Sequence, residues 1–241
     1  MTGWQRRRAG AAFFTLLMPG LAQATPLRLA TDANDQTGLA PIGRAILRRA
    51  FERLGLALQF EPLPLRRSLP MTQQGLLDGE ALRIRQLALS HPELLLVPVP
   101  IAIVQVLGYV RQAGPRPGDE AGLKALRLGY PRGVLLLENW LADAPRKAEA
   151  STRTDLLRLL RAEVIDVALL TSPAGLPELE PDDMSGLARL ATPFQVTPLY
   201  TLLHQRHREL LPRLAAVLRE MEHSGESSRL RNAAWNTLLM P

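Results

Sequence analysis

The sequence contains no cysteine, so no disulfide framework can hold the fold together. Aromatic residues make up only 5% of the chain, which leaves few rings on which nucleic-acid bases could stack. Beyond residue 24, no uninterrupted apolar run reaches the about 18 residues typical of a membrane-spanning helix. P-loop, G-x-S-x-G and H-E-x-x-H motifs are also absent. The 46% of hydrophobic residues must therefore stabilise the protein through a packed core.

The first 24 residues have the pattern of a secretory signal peptide. Arg6 to Arg8 form a basic segment, Ala9 to Leu21 are mostly apolar, and Ala22-Gln23-Ala24 is a small–x–small cleavage site. We expect residues 1–24 to be removed on export to the periplasm, which leaves a chain that starts near Thr25. A buried N-terminal helix is the alternative interpretation.

The basic excess is smaller than the whole sequence suggests. The chain carries +6, but three of its 29 Lys and Arg residues and none of its 23 acids lie in residues 1–24, so the remainder carries +3. The arginines are spread through helical patterns such as GRAILRRAFERLG and form no basic block. This distribution is typical of solvated helix faces, and we expect no nucleic-acid partner.

The chain after residue 24 opens with a β–loop–α–β pattern. PLRLATD (26–32) is a short strand that ends at Asp32, PIGRAILRRAFERLG (41–55) is an amphipathic helix, and LALQFEPL (56–63) alternates like a second strand. Such a unit predicts an α/β fold with parallel strands.

A similar strand–helix pattern begins again after the turn-rich segment 113–122. Two apolar segments that contain prolines, near 98–112 and 190–200, are predicted to cross between two lobes. The predicted divisions are residues 25–108 with 198–241 for lobe 1, 109–197 for lobe 2, and a hinge at 107–111 and 195–199.

Several motifs occur in an order that resembles the bacterial extracellular solute-binding protein family 3. They are LRLATD (27–32), LGLALQFEPL (54–63), the G-x-x-D of Gly75 to Asp78, GYPRG (129–133) and RAEVIDVALL (161–170). The resemblance spans residues 26–241. It implies a two-lobed periplasmic binding protein-like (type II) fold, a monomer without a cofactor, and an inner-membrane ABC permease or a sensor as partner.

The sequence departs from that family where amino-acid ligands are usually held. In that family, an arginine binds the carboxylate of the ligand, but no arginine occurs here between Gln86 and Ile101. An acid that binds the ligand ammonium usually follows the second-lobe strand, but Thr171 and Ser172 occupy that place here. An α-amino acid held in the usual way is therefore not expected.

The ends of strands and starts of helices supply the candidate ligand-binding residues. Asp32 ends the first strand, where it could bind a ligand or cap a turn. Arg66 and Arg67 open a helix against its macrodipole, which suggests an anionic partner, either a ligand or an acid such as Glu61. We favour Arg67 as the ligand contact.

The stretch GLLDGEALRI (75–84) places two acids and an arginine beside each other. Asp78 is expected to be structural. Glu80 and Arg83 differ by three positions, so on a regular strand they would point to opposite faces and would not be partners unless a bulge realigns them. Arg83 is the predicted ligand-facing charge, and Glu80 is included in the candidate site.

The second half contributes four further candidates. Tyr130 and Gly133 belong to a loop before a helix, a possible cradle for an anion, although a plain strand–helix turn is the alternative. Thr171 follows a buried strand, and Tyr200 lies near the return crossing. His204 and His207 are expected to be solvated, with no metal site.

These patterns predict a non-enzymatic binder that captures a small polar solute between two lobes, with anionic and amino-acid-like compounds among the candidates. An exported enzyme on the same fold, similar to the dehydratases of prephenate-like acids, is the first alternative, and would need a raised pKa at a residue such as Glu80. A sensory or accessory protein without a ligand is the second.

Overall fold

The structure is a computed structural model that describes residues 25–33, 35, 38–176 and 184–239. The predicted signal peptide, residues 1–24, lies outside this described part of the chain. No helix among the described residues combines the length and the apolar character that crossing a membrane would require.

Ten strands and eight helices make up the described chain. The strands are β1 (Leu27–Asp32), β2 (Leu58–Leu63), β3 (Gly79–Ile84), β4 (Leu94–Leu96), β5 (Ala102–Arg111), β6 (Leu128–Pro131), β7 (Lys147–Ala150), β8 (Val167–Pro173), β9 (Leu187–Arg189) and β10 (Gln195–His204). The helices are α1 (Leu39–Arg53), α2 (Leu65–Gln73), α3 (Arg85–Ser90), α4 (Glu120–Lys124), α5 (Leu135–Trp140), α6 (Arg153–Arg161), α7 (Leu210–His223) and α8 (Glu226–Leu239), with a 3₁₀ helix at Gln205–His207.

The strands form one continuous sheet in the order β2-β1-β3-β10-β5-β8-β6-β7, with β4 on β10 and β9 on β5. Strands β1, β2 and β3 are parallel to one another, as are β6, β7 and β8. The long strands β5 and β10 pair antiparallel from Ala102–Leu199 to Val106–Gln195 and link these two parallel groups. They coincide with the two apolar crossings expected from the sequence.

The hydrophobic core divides in the same way. One cluster packs α1, α7 and α8 against β1 and β3, with Ile42, Phe51 and Trp235 completely enclosed. Two further clusters cover the opposite faces of β5 and β8, because alternate residues such as Leu169 and Leu170 point to different sides. The predicted α/β, two-lobed class is confirmed. We call the part around β1–β3 the first lobe and the part around β6–β8 the second lobe, and the residue boundaries given above stay a prediction.

Candidate functional site

A cavity of about 270 Å³ lies at the carboxyl ends of the parallel strands β1 and β3. The first lobe supplies the ends of these strands and the first turns of α1 and α2, while the second lobe supplies Arg132 to Val134, part of α5, and Thr171 of β8. Ligands of open α/β sheets bind at such strand ends, where loops and helix starts converge. The cavity is therefore the candidate binding site, and both lobes line it.

Most of the cavity wall is aliphatic. Thirteen of its 23 lining residues are alanine, valine, leucine, isoleucine or proline. The larger side chains include Leu39, Leu65, Leu82, Leu87, Leu136 and Leu199. Small-molecule sites are usually apolar with a few polar groups. Burial of the ligand's apolar surface supplies affinity, and the polar groups fix the orientation of the ligand.

Glu80 and Arg83 line the cavity and form a buried ion pair, as expected if a bulge realigns them and unlike a regular strand, on which they would point to opposite faces. Arg83 Nε donates to Glu80 Oε2 at 2.8 Å, and the side chains are 4% and 1% exposed. The reason is a β-bulge. Arg83 pairs with Tyr200 but Glu80 pairs with Leu202, so three steps along β3 oppose two along β10. The extra residue turns both side chains to the same side of the sheet.

The pair is held by two hydroxyls and a carbonyl of the helix that covers it. Ser68 Oγ lies 3.1 Å from Glu80 Oε2 and 2.7 Å from Arg83 Nη2, while Thr72 Oγ1 donates to Glu80 Oε1 at 2.8 Å. Arg83 Nη2 also donates to the carbonyl of Leu65 at 3.0 Å. The network satisfies both buried charges from within the protein, so Arg83 does not need a ligand carboxylate as its partner.

Glu138 binds both lobes beside the cavity. Its Oε1 accepts a hydrogen bond from the Gly133 N–H at 2.9 Å, and its Oε2 accepts one from Arg66 of α2. Gly133 lines the cavity as expected, but the amide proposed to cradle an anion is already occupied by a carboxylate of the chain itself. The anionic partner expected at the start of α2 is likewise Glu138, whereas Glu61 binds Arg28.

Tyr130 does not reach the cavity, although the loop after it does. Its ring is buried in the core of the second lobe, and its hydroxyl donates to Glu149 Oε1 at 3.3 Å. Burial, together with the Glu149 carboxylate, raises the pKa of the Tyr130 phenol. Arg132 lines the cavity and pairs through Nε with Glu149 Oε2 at 3.2 Å.

Hydroxyl and carboxylate groups complete the polar lining. The structure places Asp32 and Thr171 at the cavity, from β1 and β8 respectively. Asp35, which sequence reasoning missed, also lines it, and its Oδ2 accepts a hydrogen bond from the Ala40 N–H at the start of α1 (2.7 Å).

Thr31 is a second cavity residue that sequence reasoning missed. Its side chain is 5% exposed, and Oγ1 has no hydrogen-bond partner among the described residues. A buried hydroxyl without a partner costs about 1–3 kcal/mol, so its position in a cavity wall suggests that a ligand completes it. The only sequence signal was its place beside Asp32 at a strand end.

Besides Tyr130, two predicted residues lie away from the cavity. Arg67 is exposed on α2 and does not line the cavity, whereas the neighbouring Arg66 does. Tyr200 is buried beneath the Arg85 guanidinium, which lies 5.3 Å from its ring centre, and it too is absent from the cavity wall.

Asp78 connects β1 to the segment after β10 and lies outside the cavity wall. Its carboxylate accepts hydrogen bonds from the Arg28 N–H at 2.7 Å, from Arg206 Nη2 at 2.6 Å and from His207 Nε2 at 2.5 Å. Partial burial opposes ionisation, but these donors hold the pKa of Asp78 below its ordinary value. Over the described ranges, no cluster of three or more His, Asp or Glu side chains is arranged to hold a metal ion.

Comparisons with solved structures show that the fold of this chain is similar to that of several known proteins. It is similar to the ligand-binding core of GluR0 in complex with L-glutamate, with a TM-score of 0.68 and 11% identity over 86% of this chain and 97% of that one. It is also similar to a histidine kinase sensor domain with similarity to periplasmic binding proteins. The TM-score is 0.66, with 17% identity over 87% of this chain and 95% of that one. A third similar structure is an ancestral arginine-binding protein bound to glutamine, with a TM-score of 0.63 and 15% identity over 85% of this chain and 95% of that one.

No protein-family model matches the sequence, and no curated protein is significantly similar to it. At identities of 11–17%, the likeness to solved structures concerns the fold. The chain therefore has the two-lobed fold of the periplasmic binding proteins.

Proposed function

We propose that this protein is exported and reversibly captures a small molecule in the cavity between its lobes, for a membrane transporter or a sensor. The observation that carries the proposal is the cavity itself, because its wall combines Asp32 and Glu80 of the first lobe with Gly133 and Thr171 of the second. A ligand that touches both lobes stabilises the closed arrangement by its difference in affinity for the two states.

The similar structures support a binding role. By their descriptions, they include an arginine-binding protein, a complex with L-glutamate and a kinase sensor domain. An amino acid ABC transporter substrate-binding protein is also similar in fold. Because this fold thus occurs both in transport and in sensing, we propose an ABC permease or a sensor as the partner. We further propose a monomer without a cofactor.

We propose that the ligand is released unchanged. The carboxylate considered for acid catalysis, Glu80, accepts hydrogen bonds from Arg83, Ser68 and Thr72. These partners belong to the chain and occupy both carboxylate oxygens, whereas a general acid must reach the reacting atom of a substrate. This arrangement supports binding rather than dehydratase-like chemistry.

Thermal unfolding of the purified protein tests capture. We would strip bound molecules by unfolding and refolding, then add panels of amino acids, organic acids, amines, polyamines and sugars. A ligand at 100 times its Kd adds about 2.7 kcal/mol to the free energy of unfolding, which gives a clear rise in Tm. Recovery of the compound unchanged would distinguish a binder from an enzyme.

Two variants test whether the ligand binds in this cavity and contacts both lobes. Asp32→Asn and Thr171→Val alter opposite lobes, and each should reduce the ligand-induced rise in Tm. Asp143→Asn is the matched control, because the Asp143 side chain is 71% exposed and contacts Lys124 away from the cavity. No stabilisation by any compound would contradict capture and would favour a sensory or accessory protein that binds a protein partner.

Export has a separate test. N-terminal sequencing of the protein from the periplasmic fraction should give Thr25 as the first residue. A protein that keeps residues 1–24 and stays in the cytoplasm would contradict the proposed compartment without bearing on the cavity.

A further inference from the structure

We propose that the ligand of this cavity is an uncharged, mainly apolar molecule with one or two hydrogen-bonding groups, such as an alcohol or an amide. Its polar groups would bind the hydroxyls of Thr31 and Thr171, one from each lobe. The inference rests on the proposed function and specifies the chemistry of the captured molecule. It differs from the anionic or amino-acid-like ligand that the arginines of the sequence suggested.

The cations of the cavity wall are neutralised by carboxylates of the chain. Three arginines line the cavity, and each of them pairs with one acid. The pairs are Arg66–Glu138, Arg83–Glu80 and Arg132–Glu149. A ligand carboxylate would have to compete with an intramolecular partner at each of these arginines. This competition lowers the affinity of an anion relative to an uncharged group of the same shape.

The acids of the cavity wall also have partners within the chain. Glu80 is bound by Arg83 and by two hydroxyls of α2. Asp35 accepts a hydrogen bond from the Ala40 N–H at 2.7 Å, and Asp32 interacts with another residue of the chain. A ligand ammonium would lose its water and would meet carboxylates that are already bound. An uncharged ligand, by contrast, leaves all of these interactions intact.

Uncharged polar side chains also lie in the wall. Thr31 is 5% exposed, and its Oγ1 has no hydrogen-bond partner among the described residues, which is an independent sign of a ligand. The second lobe contributes Thr171 from β8 and Asn139 from α5. Hydroxyls and amides both donate and accept hydrogen bonds. These side chains therefore match the hydrogen-bonding capacity of an alcohol or an amide.

The rest of the wall fits an apolar body. Thirteen of the 23 lining residues are aliphatic, and six leucines are among them. The cavity volume of about 270 Å³ is close to the lower limit of the about 300–1,000 Å³ usual for ligand sites, so the body must be compact. A sugar, which carries hydroxyls along its whole length, would leave some of them against leucine side chains without hydrogen bonds.

Calorimetric titration of the purified protein with matched compounds tests the inference. One series shares a phenethyl body: 2-phenylethanol, 3-phenylpropanamide, phenethylamine, 3-phenylpropionate and L-phenylalanine. A second shares an isopentyl-type body: 3-methylbutan-1-ol, 4-methylpentanamide, 3-methylbutylamine, 4-methylpentanoate and L-leucine. In at least one series we expect the alcohol or the amide to bind about ten-fold or more tightly than the amine, the carboxylate and the amino acid.

Four variants locate the polar contacts. Thr31→Val and Thr171→Val keep the side-chain shape, so folding should be preserved, and each should weaken binding of the uncharged compound about five-fold. Thr31→Ser retains the hydroxyl and should bind nearly as tightly as wild type. Asp143→Asn removes an exposed carboxylate away from the cavity and should leave the affinity unchanged. Wild-type affinity in either valine variant would overturn the contact assigned to that threonine.

Glu149→Gln tests whether the chain's own acids exclude an anion. Glutamine keeps an acceptor for the Tyr130 hydroxyl but removes the charge that binds Arg132. The affinity for the carboxylate, relative to that for the amide of the same series, should rise about two-fold or more. An unchanged ratio would contradict the argument that intramolecular pairing keeps anions out of the cavity.

The outcomes separate the inference from the function on which it rests. Tightest binding of an amine, a carboxylate or an amino acid would overturn the inference and leave capture of a small molecule standing. Stabilisation by a sugar or a polyamine, with no binding of any alcohol or amide in the two series, would do the same. Failure of every compound in both series and in the panels above would contradict capture itself.

Discussion

Arg66 of α2 and Glu138 of α5 form an ion pair that joins the two lobes beside the cavity, although 72 positions separate them in the sequence. The same carboxylate binds the amide of Gly133 on its own lobe. The chain therefore places one of its own carboxylates at a helix start that could hold an anion, and ties the lobes together without a ligand.

Glu138→Gln should weaken this link and shift the ligand-free protein towards an open form. Glutamine keeps an oxygen for the Gly133 amide but loses the charge that attracts Arg66. Stability should fall by less than about 1 kcal/mol, because the Arg66 side chain is 73% exposed. Small-angle scattering should give a larger radius of gyration than for wild type, while Asp143→Asn should match wild type. An unchanged radius for Glu138→Gln would show that the ion pair does not hold the lobes together.

Breaking the buried Glu80–Arg83 pair should be far more costly than replacing it. Arg83→Met leaves the Glu80 carboxylate, 1% exposed, without its cation and should cost about 3–5 kcal/mol in urea unfolding. The double variant Glu80→Gln/Arg83→Met removes both charges and should recover a large part of that loss. A double variant as unstable as the single one would assign the loss to packing instead of charge.

The ion pair between Asp166 and Arg127 should make stability depend on acid pH. Hydrogen bonds from the Arg127 guanidinium, against the opposing effect of burial, lower the pKa of Asp166 from 3.8 to about 2. Because the folded pKa lies below the unfolded one, the stabilisation is present above about pH 4 and is lost as the pH falls through about 2. Arg127 is 42% exposed, so we expect about 1–2 kcal/mol.

The measurement compares urea unfolding of wild type and Asp166→Asn between pH 6 and pH 2. The difference in free energy should be largest at pH 6 and should shrink towards pH 2. A difference that stays constant over this range would rule out titration of Asp166 as its source.

Gly79→Ala should destabilise the junction of β3 with β10. A Cβ at this position would lie 2.2 Å from the Leu202 carbonyl oxygen and 2.9 Å from the Leu29 side chain, and a backbone oxygen cannot move aside as a side chain can. We expect a loss of about 1–3 kcal/mol or more in thermal unfolding. Gly118→Ala is the control, since a Cβ there meets nothing within 4 Å. Equal Tm values for the two variants would contradict the close approach.

The sequence by itself determined the α/β class, the order of the main elements and the position of the two linking strands. These features follow from local signals that extend over only a few residues. Apolar and polar residues alternate in 56–63, apolar residues recur at helical spacing in 41–55, and prolines interrupt the apolar crossings. The position of Asp32 at a strand end was local information of the same kind, and the structure places it at the cavity.

The partners of the charges were decided by the tertiary structure. Strand periodicity alone separates Glu80 from Arg83, but the bulge opposite Tyr200 and Leu202 brings them together. The burial of Thr31 depends on how the elements pack around the end of β1. Likewise, Arg66 rather than Arg67 lines the cavity and pairs with Glu138 because of how α2 lies against the second lobe. A periodic pattern gives the direction of a side chain along its own element, whereas ion pairs depend on distances between elements, and only packing sets those distances.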